Sequence, residues 1–190
     1  MLQRRTPHFS LDDALDLFLL DGASRRLAQS TLKFYESKVS IFIRWCHEAD
    51  VTDLNALTAH DIRRFLVHIY QRGLSSQYQN NLARAIRAFL NYCVRDELIE
   101  TSPFDKVRMP KVEKKILAAM TEREITIILQ SCKYERDKAI CLFLLDSGVR
   151  AGELVALKME DVDMRTGVVA VHAGKGQKGR TTYILSLIHI

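Results

Sequence analysis

The chain lacks any long apolar run. The stretch from Ala139 to Leu145 stops at Asp146, far short of the roughly 20 residues a membrane-spanning helix needs. Arg4 and Arg5 stand near the start, but no apolar core or cleavage site adjoins them, so no secretory leader is expected. The four cysteines, Cys46, Cys93, Cys132 and Cys141, form no C-x-x-C pair. Each falls within an apolar helical pattern, which argues for buried free thiols in a reducing cytosol and against disulfides or zinc. Internal repeats and low-complexity segments are missing as well. Only three prolines occur, and two of them, Pro103 and Pro110, interrupt one short stretch.

What is present is ordinary for a globular protein: 190 residues, 47% hydrophobic and 27% charged. That length holds one large core or two small ones. Lys and Arg number 28 against 23 Asp and Glu, for a formal charge of +5. This balance suits a nucleic-acid partner without requiring one, since a solvated basic surface has the same composition.

Four helices are expected in the first hundred residues. Ser10 is placed to cap the first, with Asp13 three residues on. Ala14, Leu15, Phe18 and Leu19 follow at helical spacing, and Gly22 is expected to end the run. The second begins near Ser30–Thr31 and carries Leu32, Tyr35, Val39, Phe42, Ile43 and Cys46. The third follows His60–Asp61 and stops near Gly73. The fourth has the clearest stripe: Tyr78, Leu82, Ala85, Ile86, Phe89, Leu90 and Cys93. Its other positions hold Gln77, Asn81, Arg84, Arg87 and Asn91, side chains able to meet DNA or simply water.

Periodicity breaks over residues 101–120, where Lys106, Arg108, Lys111, Lys114 and Lys115 make a basic linker. A capping box, Thr121 with Glu124, opens a second domain over 121–184. Arg136 to Leu145 reads as a helix that is apolar almost all round, hence buried from every side. Gly148 closes it and Arg150 starts a short helix. Val168–Val171 and Thr181–Ile184 read as a strand pair turned by Gly174-Lys175-Gly176.

Two strings carry chemistry: Ser147-Gly-Val-Arg150-Ala-Gly-Glu153-Leu154 and Gly174-Lys175-Gly-Gln-Lys178-Gly-Arg180. A guanidinium holds two phosphate oxygens through parallel hydrogen bonds. Glu153 stands about one turn beyond Arg150, placed to hold that guanidinium still. A departing alkoxide needs a proton, which a lysine on a glycine-flanked turn is suited to deliver.

On these strings and on Asp161-Val162, and more weakly on Thr31-Leu32, Tyr35, Ile86-Arg87 and Phe89, the chain resembles the tyrosine recombinase, or phage integrase, family, including Xer-type enzymes. The resemblance runs from about Ser10 to Ile184. It implies a mainly α N-terminal four-helix (SAM-like) core-binding domain over 1–100 and an incomplete α+β catalytic domain with a β-hairpin. It implies site-specific cleavage and rejoining of double-stranded DNA through a 3′-phosphotyrosyl intermediate, in a tetramer on two recombination sites. No cofactor, no metal and no membrane are involved. Arg150 and Lys175 map onto catalytic residues and Glu153 onto the supporting acid. The expected DNA contacts are Thr31, Lys33, Ser76, Gln77, Arg84, Arg87, Lys178 and Arg180. The family's His-x-x-Arg and nucleophilic tyrosine find no match, and Tyr183, on an expected strand, reads as structural. A C-terminally truncated, inactive fragment is therefore expected, acting in the cytoplasm.

Leu185-Ser-Leu-Ile-His-Ile190 is the in-frame translation of a transposon-end sequencing adapter and reads as an artefactual tail. Two other readings compete. Gly174 to Thr181 nearly matches a P-loop, which would need a following helix. A non-catalytic helical DNA-binding regulator would explain the first four helices equally well, but has no use for Arg150, Glu153 and Lys175 in that order.

Overall fold

The structure, a computed structural model, describes residues 9–113, 118–172 and 179–184. It forms two compact units, Met1–Lys115 and Ile116–Ile190.

The first unit is built on helices α1 (Leu11–Ser24), α2 (Gln29–Glu48), α3 (Ala59–Gln71) and α4 (Ser76–Arg95). Each start is explained locally. The Ser10 hydroxyl accepts from the Asp13 N–H at 3.0 Å. Thr58 and Asp61 form a reciprocal capping box, and the Ser75 hydroxyl accepts from the Tyr78 N–H at 3.3 Å. Gly22 does not end α1. It sits within the helix, where a Cβ would come within 2.7 Å of the Leu32 side chain, so its role is the close approach of α2. The helix continues to Ser24 and the chain turns at Arg26, which takes a positive φ of 55°.

The α4 stripe is buried as its spacing requires. Leu82, Ala85, Ile86, Phe89, Leu90 and Cys93 are fully enclosed, and α4 packs on α1, α2 and α3. Phe18 of α1 meets Tyr35, Phe89 and Tyr92 edge-on or tilted, with centroids 5.1–5.9 Å apart. Burial pushes the Cys46 and Cys93 thiols up to about 12, which makes them inert packing groups. Cys132 and Cys141 depart from expectation, being only half-buried.

The segment expected as a basic linker over 101–120 is tied to the helices over its first part. Phe104 is buried within a 3₁₀ turn, Pro103–Lys106. Arg63 donates to the Lys106 carbonyl, Asn80 donates to the Pro110 carbonyl at 3.0 Å, and the Glu113 N–H donates to the Ser76 hydroxyl at 3.3 Å. Composition signalled a break in periodicity, but not that a phenylalanine would anchor the break.

The second unit has α5 (Glu122–Ser131), α6 (Glu135–Ser147), α7 (Ala151–Ala156) and an antiparallel sheet of β1 (Val162–Asp163), β2 (Val168–Val171) and β3 (Arg180–Tyr183) in that order. β1 was not foreseen, since two residues are too few to show alternation. Val169 faces Thr182 and Val171 faces Arg180 in the β2–β3 register. Phe143, Val149, Val169, Val171 and Ile184 make a small core.

The burial expected for α6 is not met. Within that helix only Phe143 and Ser147 are buried, and Ile140 and Leu145 are exposed. Nothing on α5 is buried either, Ile127 being 53% exposed. Gly148 closes α6 in the left-handed region at φ 59°. The turn at 174–176 and the tail at 185–190 lie outside the described residues.

Candidate active site

The site is built where α6 ends and α7 begins. Gly148 turns the chain, Val149 plugs into the small core, and Arg150 caps α7 from outside. One burial thus fixes the backbone beside a side chain that stays 73% exposed. Glu153, with its side chain only 7% exposed, lies beneath. Its Oε2 accepts from the Arg150 backbone N–H at 2.7 Å, and its Oε1 accepts from Arg150 Nη1 at 2.9 Å. The Arg150 guanidinium thus rests on the Glu153 carboxylate.

A third partner was not foreseen. Arg180, at the start of β3, donates Nη1 to Glu153 Oε1 at 2.7 Å and Nη2 to Oε2 at 2.8 Å. Sequence reading placed Arg180 among the DNA contacts, whereas its guanidinium fork lies on the carboxylate. Nothing in the spacing of 27 residues reveals the pair; only the strand register does. Two residues on, Thr182 donates its hydroxyl to the Ser147 carbonyl at 2.8 Å. Alternate residues of a strand share a face, so Arg180 and Thr182 grip both ends of the turn that carries Arg150.

Arg180, then the Arg150 backbone N–H and the Arg150 side chain, outweigh the opposing effect of burial and lower Glu153 from its ordinary 4.5 to about 2. A carboxylate depressed on folding contributes its stability fully above the unfolded value and loses it as pH falls through the folded one. The window is therefore pH 4.5 down to about 2. Thermal unfolding of the second unit should lose stability across that window less steeply in Glu153→Gln than in the wild-type chain. Equal slopes would show that Glu153 does not stay ionised at low pH.

Asp161, also buried, accepts from the Lys158 N–H at 2.8 Å and pairs with His172 just after β2. Asp161, with Val162, is among the residues on which the family resemblance rests, but its pairing with His172 was not foreseen. Lys175 and Lys178 lie outside the described residues. The P-loop reading is not met, because a strand, Arg180–Tyr183, follows the glycines where a helix would be needed.

In the first unit the expected contact residues fall on two helices. Thr31, half-buried, and exposed Lys33 stand early in α2; exposed Gln77, Arg84 and Arg87 line the outer side of α4. Gln77 donates to Asn81 at 3.1 Å, while the Ser76 hydroxyl is taken up by Glu113. One cation was overlooked: Lys38 of α2 lies 4.1 Å over the ring of Tyr78 on α4.

Comparison with known proteins agrees with both units. Residues 15–100 match the phage integrase N-terminal SAM-like domain, and residues 113–187 match the phage integrase family. The chain belongs to the tyrosine recombinase family. Among relatives, it is 29% identical over 161 residues to tyrosine recombinase XerC of Bacillus licheniformis, covering 82% of this chain and 53% of that one. It is 31% identical over 156 residues to tyrosine recombinase XerA of Thermococcus kodakarensis, covering 81% and 51%. The chain thus spans about half the length of these recombinases. In fold it is similar to a lambda integrase dimer bound to a COC′ core site, with a TM-score of 0.78 at 21% identity over 96% of this chain and 52% of that one. The Tn1549 transposon integrase in complex with a circular intermediate DNA gives 0.65 at 18% identity over 93% and 62%. Among the described residues, no helix is long and apolar enough to cross a membrane.

Proposed function

We propose that this chain supplies the DNA-binding helices and the arginine–lysine part of the active site of a site-specific DNA recombinase. The observation that carries this reading is Arg150: exposed, backed by a buried carboxylate, and held in a turn whose backbone is fixed. Such a group suits the non-bridging oxygens of a phosphodiester under attack. Lys175, on the segment between β2 and β3, is assigned the proton for the departing 5′-oxygen. No tyrosine of this chain is assigned the attack. Cleavage then leaves a 3′-phosphotyrosyl bond and a free 5′-hydroxyl, and rejoining reverses it without metal or cofactor.

Duplex DNA is the partner, held by Thr31, Lys33, Ser76, Gln77, Arg84, Arg87 and Lys178, and the working assembly is a tetramer on two sites, in the cytoplasm. Arg180 is left out of that set, because its guanidinium fork lies on Glu153. This chain binds duplex DNA in that reading. That binding should be weak and sequence-tolerant. Affinity should fall on the order of a hundredfold between about 50 and 200 mM salt, as release of counterions from about four phosphates would give. A fluorescence-anisotropy titration that stays flat with salt would contradict it.

A further inference from the structure

The Arg180–Glu153 pair has features that a plain structural ion pair would not need. The carboxylate is buried and both its oxygens are doubly engaged: Oε1 by the two guanidiniums, Oε2 by Arg180 and the Arg150 backbone. With Arg150 alone, Glu153 would cancel the charge of the group it orients. Two guanidiniums on one carboxylate leave a net positive charge at the site. Arg180 also stands on the strand that closes the lysine-bearing segment, five positions after Lys175. Together with Thr182 on the Ser147 carbonyl, it fastens that strand to the Arg150 turn.

We propose that Arg180 is a positioning residue of the recombinase site, which orients Glu153, and through it Arg150, and sets β3 in register with them. The inference rests on the recombinase reading above. It assigns Arg180 to geometry and to net charge at the phosphate, not to an independent DNA contact. A lysine in its place would keep the charge but lose the parallel pair of hydrogen bonds.

The test uses two measurements. In this chain, the Glu153 carboxylate is titrated by carbon-13 resonance in the wild type, Arg180→Lys and Arg180→Ala. The midpoint should lie near 2 in the wild type and move up toward 4.5 in Arg180→Ala, with Arg180→Lys between. In the chain joined to a nucleophile-bearing C-terminal half, single-turnover cleavage and DNA affinity are measured side by side. Arg180→Ala should cleave about a hundredfold more slowly, as a displacement of about 1 Å at a reacting centre costs, with its DNA affinity unchanged. Arg180→Lys should recover part of that rate. Three results overturn the inference. An unmoved Glu153 midpoint denies the coupling. A loss of affinity in proportion to the loss of rate makes Arg180 a DNA contact instead. Wild-type cleavage by Arg180→Ala, in an assay where Arg150→Ala is inactive, leaves the recombinase reading standing and removes Arg180 from the site. Wild-type cleavage by Arg150→Ala itself would bring down the recombinase reading, and the inference with it.

Discussion

Arg150→Ala should reduce DNA cleavage on the order of a thousandfold, once the chain is joined to a nucleophile-bearing C-terminal half. The guanidinium is already in place before reaction: its backbone N–H and its side chain both rest on the buried Glu153, and Val149 anchors the turn in the core. A charge organised in advance stabilises developing phosphate charge without reorganisation, and removing one such donor typically costs about a hundredfold to a thousandfold. DNA affinity should change little, because one phosphate contact among many disappears. The second unit should stay folded, since a side chain 73% exposed contributes little packing. A gel assay on a nicked duplex gives the rate and an anisotropy titration gives the affinity. Equal losses in the two would make Arg150 a binding residue.

The four-helix half was legible because its signals are local. Ser10 lies at its expected cap, and the α4 stripe follows a single helical period; the structure buries nearly all of it. Boundaries that depended on tertiary contact were less legible. Gly22 looked like a stop but serves the approach of Leu32, and residues 101–113 read only as a basic linker but hang on Phe104 and three hydrogen bonds to α3 and α4. In the second unit, the apolar circumference of α6 pointed to burial on every side. Burial, however, requires neighbours, and the helix exposes Ile140 and Leu145.

The Arg150–Glu153 pair was readable because three residues of helix bring the two together by geometry alone. Arg180 was readable as a residue but not as a partner. Its meeting with Glu153 depends on the β2–β3 register and on the sheet packing against α6, neither of which leaves a mark on the spacing. The pairing of Asp161 with His172 escaped for the same reason.

If arginine and lysine of this chain divide the work of one phosphoryl transfer as proposed, replacing the leaving oxygen separates their roles. Lys175→Ala should slow cleavage of an ordinary duplex, because the 5′-oxygen then departs as an alkoxide without its proton. A duplex carrying sulfur at that bridging position releases a thiolate, which needs no proton to leave. Cleavage rates of wild type, Lys175→Ala and Arg150→Ala, each joined to the nucleophile-bearing C-terminal half, on the two substrates form the measurement. The sulfur substrate should restore Lys175→Ala to near the wild-type rate and leave Arg150→Ala impaired, since charge on the non-bridging oxygens is unaffected by the substitution. Rescue of both variants alike, or of neither, would contradict the division of roles.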